Sequence, residues 1–309
     1  MSTVATKNLH DRPTKVKLDS SDKIIRGTTY VLVSIFCLMC ILPFWMVIAS
    51  SFSTEEAIRR TGFTLFPTDF STYSYELLFR SPDQMVGAYA VTIGLTAIGT
   101  LIGLFIVSMT GYALQRQDFP FRNGIMFYIY FTSLFSAGLV PFYLLIVQTL
   151  KLQDSYLAIL LPLLMSPWLI VLMKNFVKAI PHEITESGKI DGAGDFKIFY
   201  ALILPSMKPA LATIGLFLAL SYWNEWYYSS LFLTSRVAYR PLQFHLYNVI
   251  NKVASLRNSV AGANVVIENL PSETLKMATA VIATGPIILL YPFVQKYFVA
   301  GLTVGAVKG

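Results

Sequence analysis

The side chains of this chain that could do chemistry gather in one stretch. Between Ile180 and Asp195 stand Glu183, Glu186, Lys189, Asp191 and Asp195, and the stretch closes on Leu204-Pro205. No Ser-His-Asp arrangement and no catalytic carboxylate pair accompanies them. The three histidines, His10, His182 and His245, are far apart and lack metal-ligand spacing. Cys37 and Cys40 form a C-x-x-C pair, a spacing used in redox and metal sites. They lie inside a long apolar run with no His, Asp or Glu beside them, so they read as inert, buried thiols. No G-x-x-x-x-G-K-[ST] frame occurs, because Gly188-Lys189 lacks the preceding glycine. The chain is expected to bind no cofactor or metal and to hydrolyse no nucleotide. The acids of this stretch suit docking against a partner better than acid–base catalysis.

The elements that must carry the stretch follow from composition. The 309 residues are 55% hydrophobic and 13% charged, with a mean hydropathy of +0.59. Soluble domains carry about 25% charged residues, so this is an integral membrane protein. The net charge of +7 is spread over the tail and loops rather than along one surface. That argues against nucleic acid and for flanks that orient membrane helices. Six segments approach the roughly 20 apolar residues a span needs: 28–50, 87–114, 124–148, 156–173, 210–233 and 277–295. They are too long and too uniformly apolar for barrel strands, so the fold class is all-α and polytopic.

Fifteen of the 24 Lys and Arg fall in the N-tail, the second and fourth loops and the C-tail. The chain then divides into a cytoplasmic N-tail (1–26), a six-helix region (27–300) and a cytoplasmic C-tail (301–309), with the polar stretch at about 177–208 also cytoplasmic. The polar N-tail does not resemble a cleavable signal. Gly138, Pro141, Pro162, Pro167, Pro286 and Pro292 interrupt spans. Such breaks are compatible with a translocation path and equally with plain kinks.

Within the polar stretch, Pro181 is placed to open a helix. Glu183 and Glu186 would sit near its N-terminus, where negative charge is favoured. Glu186 and Lys189, three apart, could pair on one face. Ser187, Gly188, Gly192, Ala193 and Gly194 are small and allow close packing. Asp191-Gly192 is a natural break, which predicts two short helices at an angle.

This pattern resembles the cytoplasmic E-A-A signature of bacterial ABC importer permeases. Glu186-Ser187-Gly188 takes the E-A-A place, Gly192 follows after three residues, Leu202 stands at the family's Ile, and Leu204-Pro205 at its Leu-Pro. Ser and Gly replace the two alanines; glycine at 188 would loosen the helix by about 1 kcal/mol relative to alanine. Gly111-Tyr-Ala-Leu114, Asp118-Phe-Pro120, Ser221-Tyr-Trp-Asn-Glu-Trp226 and the ending Gly301–Gly309 also match. The chain is similar to MalG-type permeases of carbohydrate importers, nearest the LplC/YtcP branch, over nearly all of its length after residue 25.

The resemblance implies a type I importer permease fold and a non-catalytic role in oligosaccharide import. Glu186, Ser187, Gly188, Asp191, Gly192 and Ala193 would form the coupling helix against the ATPase. ATP and Mg would sit on a dimer of cytoplasmic ATPase subunits. Further partners would be a homologous second permease, an extracellular sugar-binding lipoprotein and the bacterial cell membrane. Trp223, Asn224, Glu225 and Trp226 fall within the fifth span, where an ionisable group defaults to a functional reading. They are candidates for the substrate path, with interfacial anchoring or subunit packing as the alternative. A stand-alone secondary transporter is the competing function; it would need mid-membrane coupling residues and usually repeats.

Overall fold

The computed structural model describes residues 20–234, 237–261 and 271–306. Among these residues the fold is helical, with a single isolated bridge between Ser53 and Phe70. Each of the six predicted segments falls on helix. The N-tail before Ser20 and the last three residues lie outside the described residues.

Helix α1, Ser20–Ser51, packs on the long final helix and leaves its apolar side chains exposed from Ile24 to Trp45. A helix so apolar on its outer face is stable only in lipid. Cys37 and Cys40 sit on that outer face. The expectation of buried thiols is therefore corrected: α1 stands at the edge of the bundle, and none of the described residues covers them.

Among the described residues two unbroken helices are long and apolar enough to cross a membrane, 23–51 within α1 and α4, Pro82–Gln115. Three bent pairs meet the same test. The helices α5, Arg122–Leu134, and α6, Leu139–Leu144, run on into a π turn and meet at 114°. Gly138, with φ +88°, stands at that break. The helices α7, Leu157–Leu163, and α8, Pro167–Lys178, meet at 44°, and Pro167 opens the second of them.

The third pair bends by 87° between 195–206 and 208–232. It joins the polar stretch, comprising α9 (Glu183–Ile190), α10 (Asp195–Ile198) and α11 (Leu204–Ser206), to the fifth span. That span is α12, Lys208–Trp223, followed by α13, Tyr227–Phe232. One apolar core unites α4, α8 and α12 and continues into the polar stretch: Val107, Met173, Ile214 and Leu218 are buried together with Ile198, Phe199 and Ile203. The stretch is thus anchored to the membrane core.

The loops before α4 and α15 are built rather than loose. They hold α2, Glu55–Thr61, α3, Tyr73–Leu78, and α14, Leu242–Ala261, ahead of α15, Glu273–Ala306. The buried Glu55 carboxylate accepts hydrogen bonds from the backbone N–H of Ser272, Glu273 and Thr274. It therefore caps the N-terminus of α15 from more than 200 residues away and satisfies donors a helix start leaves free.

Candidate functional site

The polar stretch forms two short helices, as its break predicts. Helix α9 ends in a left-handed turn: Gly192 has φ +76°, its N–H donates to Lys189 O at 3.0 Å, and Ala193 N–H donates to Gly188 O at 2.9 Å. This paired capping needs φ > 0 at position 192, which glycine adopts at no steric cost. Pro181 precedes α9 and accepts from Ile184 N–H, so it introduces the helix from outside its first turn.

Gly188 faces inward. A Cβ there would lie 2.9 Å from Ile198 Cγ1 and 3.0 Å from Leu202 Cδ1. The missing methyl lets α9 lie directly on α10 and the π turn that follows it. Packing thus offsets the helix-loosening expected of this glycine, and the exposed Ser187 has no such constraint.

The predicted Glu186–Lys189 pair does not form. Lys189 Nζ lies 2.6 Å from Asp118 Oδ2, while Glu186 sits 3.6 Å from His182 Nδ1. Asp118 is already held by Arg116, whose Nε and Nη2 donate to its two oxygens at 2.9 and 2.6 Å. A fixed carboxylate costs less ordering to pair with than a mobile one on the lysine's own helix. Arg116 also reaches Asp195, with Nη1 2.8 Å from Oδ1. One guanidinium at the end of α4 therefore ties together the α4–α5 turn, the end of α9 (through Lys189) and the start of α10. Hydrogen bonds from Arg116 and then Lys189 hold the Asp118 carboxyl well below the usual carboxylate range. Hydrogen bonds to Asp118 and then Asp195 push Arg116 further up.

What α9 and α10 present outward is part acidic and part apolar. Glu186, Ser187, Asp191 and Gly192 are exposed, and Ala193 is partly exposed. Ile190 is 85% exposed, and Phe196 and Tyr200 are more than 60% exposed. Sequence reasoning missed these three, along with Arg116 and Asp118. The available signal was an isoleucine on the face of α9 opposite the inward Gly188.

The four candidates in the fifth span separate. Trp223 is buried and donates from Nε1 to Ala283 O at 3.0 Å. Glu225 is buried, and its carboxylate accepts from the N–H of Tyr228 and Ser229 and, at 2.6 Å, from the Ser229 hydroxyl. It caps α13 where the span breaks. Asn224 and Trp226 are exposed, and the Trp226 ring lies 4.9 Å from that of Tyr247 on α14. Tyr247 was not foreseen. Among the described residues no group of His, Cys, Asp and Glu could hold a metal.

Residues 109–304 match the family model described as binding-protein-dependent transport system inner membrane component. The chain is 39% identical to the polygalacturonan/rhamnogalacturonan transport system permease protein YtcP of Bacillus subtilis, over 91% of this chain and 96% of that one. It is 36% identical to LplC of the same organism, over 87% and 90% respectively. A crystal structure of a bacterial ABC transporter involved in the import of the acidic polysaccharide alginate superposes with a TM-score of 0.73. That match has 31% identity and covers 91% of this chain and 98% of that chain. The all-helical fold, the anchored polar stretch and these matches lead to one conclusion: the chain belongs to the binding-protein-dependent transport system inner membrane component family and is a membrane-embedded permease subunit of an ABC importer.

Proposed function

We propose that the chain forms half of a translocation path for an oligosaccharide and couples it to ATP hydrolysis on separate subunits. The observation that carries the coupling role is Ile190. Ile190, 85% exposed on a polar loop beside Glu186 and Ser187, adds to the exposed Phe196 and Tyr200 an apolar surface that a partner would cover. The cytoplasmic ATPase dimer, holding ATP and Mg, is the partner that covers it. The Arg116 clamp makes α9 and α10 a rigid handle, so a push on Ile190 is transmitted to α4 and α12. A second, homologous permease supplies the other half of the path, and an extracellular lipoprotein delivers the sugar. Both termini and α9 face the cytoplasm, in line with the Lys and Arg distribution. The chain itself is non-catalytic and holds no cofactor.

The substrate class is an oligosaccharide of complex glycans, including uronic-acid types. The names of the YtcP relative and of the alginate importer support this reading. Of the four residues in the fifth span, Asn224 and Trp226 are the path contacts, because an exposed ring stacks on a sugar face and a side-chain amide bonds its hydroxyls. Trp223 and Glu225 hold the broken helix together. The test is ATP hydrolysis by the assembled transporter in liposomes with binding protein and sugar. Glu186→Lys should abolish sugar-stimulated hydrolysis and leave assembly of the two permeases intact. Stimulation that survives Glu186→Lys overturns the coupling role, and uptake without any ATPase restores the secondary-transporter reading.

A further inference from the structure

A cavity of about 360 Å³ opens beside the clamp, between the end of α4, the first turn of α5 and the last two turns of α8. Its charged lining is Arg122, Lys174 and Lys178, and no carboxylate lines it. Asn123, Asn175 and Gln117 add neutral hydrogen-bonding groups. Lys174 and Lys178 lie one turn apart on α8, an arrangement that repels unless an anion sits between them. Among the described residues none of the three cations has a carboxylate within 4 Å, whereas Arg116 and Lys189 nearby are both paired. Arg122 Nη1 donates to Arg116 O at 3.1 Å, which fixes the guanidinium at the rim. The positive end of the α5 dipole, where Arg122 and Asn123 stand, points the same way.

We propose that this cavity holds the phosphate headgroup of an anionic membrane lipid. The position decides between a lipid and a soluble anion. Lys174 and Lys178 close the fourth apolar segment and Arg122 opens the third, so the cavity lies where headgroups lie. A basic pocket between membrane helices at that level recognises an acidic headgroup. The pocket shares Gln115, Gln117 and Lys178 with the neighbouring cavity under α9. A bound lipid therefore braces the base of the clamp. The site is independent of the coupling and sugar assignments.

The full chain, purified in a neutral detergent, tests this by thermal melting and by native mass spectrometry. The probes are phosphatidylglycerol, phosphatidylcholine and inorganic phosphate. Phosphatidylglycerol should raise the melting temperature and remain bound, with the other two giving no comparable shift. Lys174→Gln and Lys178→Gln should each weaken phosphatidylglycerol binding about fivefold, and Lys174→Arg should retain it. Lys151→Gln, an exposed change elsewhere, should have no effect. Melting without lipid separates lost binding from lost folding. Unchanged phosphatidylglycerol binding in the Lys174→Gln/Lys178→Gln double variant would overturn the proposal. So would inorganic phosphate giving the same shift with the same variant dependence, which would make this a soluble-anion site.

Discussion

Lys189 and Asp118 stand 71 positions apart in sequence and 2.6 Å apart in space. Their contact joins the last turn of α9 to the turn that follows α4, and Arg116 completes it by holding Asp118 and Asp195 at once. Three elements are thus tied through one guanidinium and one carboxylate.

Breaking that junction should loosen α9 without unfolding the membrane core. Asp118→Asn removes the charge on which both cations converge. A spin label at the exposed Ser187 should become more mobile in Asp118→Asn and Lys189→Gln. The melting temperature should change by only a few degrees, since exposed pairs contribute about 0–1 kcal/mol each.

The same junction sets a pH dependence. The folded-state pKa of Asp118 is depressed, so its contribution is complete above the unfolded value of about 4 and is lost as pH falls below it. Label mobility at Ser187 should be flat from pH 8 to 5 and rise only below about pH 4. An increase already at pH 6 would point to a histidine instead.

Gly188→Ala should destabilise although alanine favours helix. Overpacking costs about 1–3 kcal/mol, against a propensity gain of about 1 kcal/mol. The added methyl meets Ile198, which is fully buried. A double-mutant cycle with Ile198→Ala should show strong non-additivity, the double variant losing less than the sum of the two singles. Additive losses would mean that α9 does not rest on Ile198.

Glu225→Ala should cost about 1–3 kcal/mol, because it strands the N–H groups of Tyr228 and Ser229 at the break in the fifth span. Glu225→Gln keeps an acceptor and should lose less. Thermal melting of the two variants checks the order; equal melting temperatures would remove the cap from the account.

Ile190→Asp should leave the melting temperature of the permease unchanged, since the side chain touches little of its own chain. Co-purification with the ATPase should fall sharply. Loss of the permease itself would show that Ile190 supports the fold rather than the interface.

Much of this protein was legible from local pattern. Apolar runs of span length declare themselves because lipid demands them of every helix separately. The break at Asp191-Gly192 was visible because a left-handed turn needs glycine, and the spacing from Glu186 to Pro205 is a property of the string alone. The roles of individual side chains were less accessible. Trp223 and Glu225, lying in a span, read equally as path candidates or as packing residues, and only the hydrogen bonds to Ala283 and Ser229 show how they tie the broken helix. Glu55, an unremarked acid in the loop before α4, proved to be the cap of α15.

The sequence by itself thus determined which segments are apolar enough to cross a membrane, where the polar stretch bends and which family the chain resembles, all of which depend on neighbours along the chain. Only the tertiary structure decided that Lys189 answers Asp118 rather than Glu186, that Gly188 serves packing, and that Ile190 faces outward. Each of those depends on which distant atom arrives within 3 Å, and that is settled by how α4, α8 and α12 pack, not by any spacing within α9.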